Sequence, residues 1–205
     1  MNRIASLFLS FAIFFCASVA MGVTIVDPDA FPAGTDITNA FPGVTLTTRD
    51  GVAPGANSRS VTSDFDALAS SGTRAFAHDG GDTTWGNGQF EILRADFIGG
   101  ASLVSLDFFA NDAGGDTNAQ LLAFNASDVQ LDIDSVASVP ADGFVTLTVS
   151  APGIAYIAAY WDEINRSQNG GLDNLRFEPI PEPHTLTLAA LAFFAHVASR
   201  RRRIQ

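Results

Sequence analysis

The sequence predicts an all-β body, an antiparallel β-sandwich of jelly-roll type, and three observations carry that prediction. From Val23 to Phe177 short stretches alternate apolar and polar residues, a period of two that sets one group of side chains on a core and the other in water. Gly, Asn, Asp and Pro recur between those stretches, where turns need residues that tolerate unusual backbone angles. No segment between them sustains a helical period, which leaves strands joined by turns.

Taken in order, the candidate strands are Val44 to Thr48, Thr73 to Ala77, Phe90 to Phe97, Leu103 to Phe109, Ala119 to Phe124, Leu131 to Asp134, Val145 to Val149, Ile154 to Tyr160 and Leu172 to Phe177. The expected turns between them are Gly80-Gly81-Asp82, Gly99-Gly100, Gly114-Gly115-Asp116, Ala141-Asp142-Gly143, Pro152-Gly153 and Asn169-Gly170-Gly171. Roughly nine to eleven short strands at this spacing favour a jelly roll. An immunoglobulin-like sandwich is the runner-up, disfavoured by the strand count and by the lack of a cysteine pair.

Both ends read as targeting segments, so the chain divides into a signal peptide (1–20), the sandwich (21–179) and a C-terminal segment (180–205). Arg3 precedes the apolar run Ile4 to Phe15, and Ser18-Val19-Ala20 offers the small residues at which a signal peptidase cuts. Cys16, the only cysteine, leaves with that peptide, so the mature chain has no thiol or disulfide. At the other end Pro179-Ile180-Pro181-Glu182-Pro183 resists regular structure, and Thr185 to Ser199 follows as an apolar helix of about 22 Å. That is near the lower limit for spanning a bilayer. Arg200, Arg201, Arg202 and Arg203 hold its far end in the cytoplasm by the positive-inside bias.

Charge narrows the partners. All 22 acidic residues lie between Asp27 and Glu182, against six of the 11 arginines and no lysine. Such a body repels phosphate backbones, so nucleic acid is excluded.

The order Pro181-Glu182-Pro183, short apolar helix and terminal arginine cluster resembles the PEP-CTERM protein-sorting signal of bacteria over Ile180 to Arg203. The resemblance implies a bacterial envelope protein, membrane-anchored through its C-terminal helix as a precursor and recognised by an exosortase. It also implies cleavage near the Pro-Glu-Pro motif, followed by exposure at the cell surface or in the exopolysaccharide matrix. His184 departs from the small residue common at that position. The closing segment Gly171-Leu172-Asp173-Asn174-Leu175-Arg176-Phe177 resembles, less specifically, the last strand of carbohydrate-binding and galactose-binding jelly rolls, whose first aspartate often ligates a structural calcium.

Candidate chemistry is sparse. No GxSxG, HExxH or P-loop is present, and the reading is non-enzymatic. A carbohydrate-binding module or a carbohydrate-active enzyme on the same fold is the alternative, because two carboxylates suffice for glycoside hydrolysis. Ca²⁺ makes better use of the acids, since it takes six to eight oxygen ligands. Asp173 is the leading candidate, set against an N-terminal acid such as Asp27 or Asp36, and the turns His78 to Asn87 and Asn111 to Asn118 are looser ones. For sugar stacking the candidates are Trp85, in a Gly-rich loop, and Trp161, at a strand end. His78 is expected to be a turn residue rather than a base.

Overall fold

The computed structural model describes residues 22–49, 58–78, 81–85, 92–110, 116–141, 143–162 and 170–181. Contacts divide the chain into Val23–Ile180 and a unit made of the two terminal stretches; only the former is described below. The signal peptide, the helix expected over 185–199 and the arginine cluster lie outside the described residues, as do Glu182 and Pro183. Among the described residues no helix is long and apolar enough to cross a membrane.

The body is all-β and antiparallel. Its strands are β1 (Thr24–Val26), β2 (Thr35–Asp36), β3 (Val44–Arg49), β4 (Ser58–Arg59), β5 (Thr62–Phe65), β6 (Arg74–Ala77), β7 (Ile92–Phe109), β8 (Asp116–Phe124), β9 (Gln130–Val139), β10 (Phe144–Trp161) and β11 (Gly171–Pro179). A single 3-10 turn, Pro28–Ala30, interrupts them, started by Asp27, whose carboxylate accepts from the Asp29 amide, and by Pro28, whose missing N–H costs nothing there. Eight strands form one sheet in the order β1-β11-β7-β10-β8-β9, with β3 and β4 attached beside β7, and β2-β5-β6 form a second. The shared core joins Ile37, Val61 and Phe76 from the small sheet and its flanks to Leu46, Leu93, Val104, Leu106, Val149, Ile157 and Leu175 of the large one.

Two of the expected turns are bends instead. Gly99-Gly100 lies inside β7, and Pro152-Gly153 lies inside β10, so four predicted strands merge into two of 18 residues each. The bends face one another: the β7–β10 register shifts between Ser150 and Ile154 and again before Tyr156, and Ile154 pairs with Ala101 beside the paired glycines. Gly99, Gly100 and Gly153 have φ of 77°, 87° and 79°, a left-handed region that only glycine enters cheaply. A bulge of this kind bends a strand sharply without ending its pairing. As a result the first half of β7 pairs with β3, while its second half pairs with β11.

A third expectation is inverted. Leu131 and Ile133 are 36% and 48% exposed, whereas Asp132 and Asp134 lie across from Ala123 and Leu121, which are core residues. The cause is the neighbouring edge of β10. Strand β8 pairs only with residues 156–161 of β10, which leaves the amides of Thr148 and Ser150 without a ladder partner on that side. Asp134 and Asp132 accept from those two amides at 2.8 Å each. The two carboxylates thus take the place of a ladder partner along this exposed edge, and the apolar members of the alternation, Leu131 and Ile133, face outward.

The bend at Gly100 generates a prediction. A Cβ there would enter a left-handed backbone and meet the Ile154 carbonyl oxygen at 3.4 Å. Gly100→Ala should therefore destabilise the body by about 1–3 kcal/mol, read as a lower urea midpoint at an unchanged slope. A midpoint equal to that of the parent would mean that the bend is unstrained.

Candidate functional site

Strand β11 carries the residues that the sequence singles out, and its own bulge arranges them. The register with β7 shifts between Asp173 and Arg176, and Asn174 sits at φ 48°, which asparagine tolerates better than most residues. Asp173 is directly opposite Asp107; both are buried, at 0% and 1% exposure. Two like charges in that position are destabilising unless other groups compensate.

Compensation comes from three directions. Arg176, displaced by the bulge, reaches back to Asp107 and donates from both terminal nitrogens at 3.1 Å. The Thr146 hydroxyl donates to the same carboxylate at 2.6 Å. From the loop between β5 and β6, the Ser71 amide donates to Asp173 at 3.0 Å, and the Asn174 amide donates to its other oxygen at 2.8 Å. That loop is also tied to the N-terminal turn, where Asp29 accepts from the Thr73 amide at 3.0 Å. The cluster therefore fastens a loop, a turn and the last strand together.

Proton counting shows what the cluster lacks. The Ser70 hydroxyl lies 2.9 Å from an Asp107 oxygen and 3.0 Å from an Asp173 oxygen, and the Asn174 side-chain amide donates into it. The Ser71 hydroxyl bridges Asp29 and Asp173 in the same way, at 3.3 Å to each. A hydroxyl carries one proton, so each bridge leaves one oxygen–oxygen contact without a hydrogen. Burial pushes the Asp173 carboxyl up to about 6, the nearby Asp27 charge adds to that rise, and hydrogen bonds from Ser71, Ser70 and Asn174 oppose it. The hydrogen bond to Asp107 raises the Arg176 guanidinium against its partial desolvation.

Of the three predicted calcium ligands, Asp27 and Asp173 share this neighbourhood, and Asp36 does not. Asp36 caps its own turn by accepting from the Thr38 amide at 2.9 Å, and it lines a separate polar cleft of about 610 Å³ with Thr38, Asn39, Thr47 and Arg59. The Ser70 and Ser71 hydroxyls beside Asp173 are oxygens, as Ca²⁺ prefers, but backbone amides of Ser71 and Asn174 also occupy its carboxylate. Among the described residues, however, no three His, Cys, Asp or Glu side chains gather as they would about one metal ion. Residues 79–80, 86–91 and 111–115, which fall in the looser acidic turns, lie outside the described residues.

The tryptophans are placed differently from the sugar-stacking expectation. Trp85 and Trp161 are both fully buried. Trp85 donates its indole N–H to the Phe76 carbonyl at 2.9 Å, and Trp161 packs edge-on against Phe108 at 5.7 Å. Neither offers a face to a ligand, and the Trp85 backbone is tied to the body on both sides, its amide donating to the Gly170 carbonyl and its carbonyl accepting from the Trp161 amide. His78 is the turn residue expected, with Nε2 at 2.7 Å from the Thr84 carbonyl. On the outer face of the large sheet Tyr156 stacks on Phe124 at 4.8 Å under the Arg94 guanidinium, an arrangement that the sequence reading did not find.

Below Phe177, β11 continues through Glu178 to Pro179, which pairs with Ala101, and the Ile180 amide donates to Gly100 at 3.0 Å. The next residue opens the proline-rich segment. Residues 179–203 match the PEP-CTERM protein-sorting motif. The motif thus starts on the last residue of β11 and runs to the final arginine, Arg203. Among solved structures the chain is similar to the K2 cleaved adhesin domain of Lys-gingipain (Kgp), with 15% identity over 76% of this chain and 97% of that one and a TM-score of 0.46. That likeness says nothing of what this chain binds. No curated protein matches the chain.

The raised Asp173 carboxyl fixes the sign of a pH effect. Between the ordinary value of 3.8 and about 6 the native state holds a proton that the unfolded chain has lost. The corresponding stability is fully present below that lower value and disappears as pH rises through the upper one, by at most about 1.4 kcal/mol per pH unit. Asp173→Asn cannot titrate. The parent body should lose stability relative to this variant between about pH 4 and 6.5, measured by urea unfolding at each pH, and a flat difference would refute the assignment.

Proposed function

We propose that the chain is a secreted, non-enzymatic jelly-roll-like protein, held as a membrane-tethered precursor by its C-terminal sorting segment and delivered to the cell surface or to the exopolysaccharide matrix. The observation that carries this reading is the sorting motif at 179–203, which begins where the last strand of the body ends. The motif implies processing by an exosortase. An apolar helix of fifteen residues, about 22 Å, is shorter than the roughly 30 Å hydrocarbon core, so it is a temporary stop that depends on Arg200 to Arg203 to hold it.

Replacing Pro181, Glu182 and Pro183 with alanine should leave uncut precursor in the membrane fraction, and replacing the four arginines with serine should weaken retention. Fractionation with intact-mass measurement in the native host checks both. If the mature protein keeps residues 184–205 whether or not the motif is intact, the tail is a plain anchor and the sorting reading fails.

Structural calcium at Asp173 and Asp27 is a second proposal. It is supported by the charge balance around Arg176, whose single guanidinium feels Asp107, Asp173 and Asp27 together. A cation there would supply the positive charge that the bridging hydroxyls cannot. At a hundredfold excess over its dissociation constant calcium should add about 2.7 kcal/mol, raising the melting midpoint above that in EDTA. Bound calcium would also favour the charged carboxylate and reverse the pH slope. Identical midpoints in calcium and EDTA would assign the charge balance to the proton on Asp173 instead.

A further inference from the structure

The matched sorting motif and the folded sheet overlap. The motif begins at Pro179, yet Pro179 is paired with Ala101 and the Ile180 amide is bonded to the Gly100 carbonyl at 3.0 Å. One residue earlier the Glu178 carbonyl accepts from the Ser102 hydroxyl. Strand β1 flanks β11 only as far as Phe177, so the last three residues are held on the β7 side alone, beside the paired glycines of the bend. Among the described residues the last backbone bond of the body is at Ile180, directly before the first proline of the Pro-Glu-Pro sequence.

An enzyme that cuts a peptide generally holds the residues on both sides of the scissile bond in an extended form, through their main-chain groups. Here the main chain before Pro181 is already committed to the sheet. We propose that the body acts as a register stop for its own processing: the scissile bond lies C-terminal to Pro181, and the rate of cutting is limited by fraying of the last pairs of β11. This rests on the sorting reading above and adds to it where the cut falls and what controls its speed. Cleavage breaks one backbone C–N bond. The acyl carbon passes to a nucleophile of the sorting enzyme and then to water or a primary amine, and the departing tail keeps the nitrogen as a protonated amino terminus. Everything the sheet needs stays on the acyl side, so the body is released folded.

Terminal hydrogen bonds open at small cost, and two of them hold back the accessible population by on the order of tenfold. The test is a full-length chain in the native host carrying a flexible Gly/Ser insert of about ten residues between Ile180 and Pro181, followed by pulse–chase and intact mass. The insert lies after the last sheet bond, and an unchanged melting midpoint of the released body verifies that the fold is undisturbed. The expected result is conversion on the order of tenfold faster than in the parent, with the parent's mature C-terminus at Pro181 or beyond. Conversion at an equal or lower rate, or a parent C-terminus at or before Ile180, overturns the inference while leaving the sorting reading in place. A parent chain that is never cut overturns both.

Discussion

The large sheet depends on two strands that bend at the same place. Strands β7 and β10 each run 18 residues and pair with one another along most of that length. A flat pair of that length could not close around a core; a pair in which both members turn at glycines can, provided that the bends coincide. They do, with Gly100 lying against the Ile154 carbonyl. Once the bend is set, each half of β7 takes a different neighbour, β3 before the glycines and β11 after them. The same geometry separates one edge of β10 from β8 and so creates the need for the Asp132 and Asp134 acceptors.

Strand β11 is then held by a cluster whose cost is unusual. Burying Asp107 and Asp173 opposite each other removes two charges from water, and such groups are tolerated only with near-complete hydrogen bonding. The cluster supplies donors from three parts of the chain, the Ser70–Ser71 loop, Thr146 of β10, and Asn174 and Arg176 of β11 itself, with Asp29 anchoring the loop from the other side, and the raised Asp173 carboxyl answers the protons that the shared hydroxyls lack. The return is specificity of docking. An apolar patch would let the terminal strand slide, whereas a paired guanidinium and a set of directed donors accept one register.

That register matters for a chain whose C-terminal strand leads straight into a sorting segment. Strand β11 is the last to be synthesised and lies between β1 and β7, so the sheet cannot be completed until the residues just before the motif have been delivered. Folding and presentation of the motif are therefore consecutive events on the same short stretch.

The sequence by itself determined the C-terminal sorting motif, the all-β character and the prominence of Asp173, because these depend on local composition, on a period of two and on one short motif. It placed most strands correctly, including Val44 to Thr48, which lies within the observed Val44–Arg49 and in which Val44, Leu46 and Thr48 turn inward as the alternation requires. It misread Gly99-Gly100 and Pro152-Gly153 as turns, since a glycine that permits a turn equally permits a bulge, and only the partner strand decides between them. It also set Leu131 and Ile133 inward, because periodicity says which residues share a face and not which face is covered. The two tryptophans and the aspartate cluster were beyond it for one reason. Ser70 and Ser71 meet Asp173 across 103 and 102 residues of sequence, and Asp107 meets Arg176 across 69. No local pattern records such distances; only the folded sheet brings those groups together, and burial, with the Asp27 charge beside it, raises the carboxyl of Asp173.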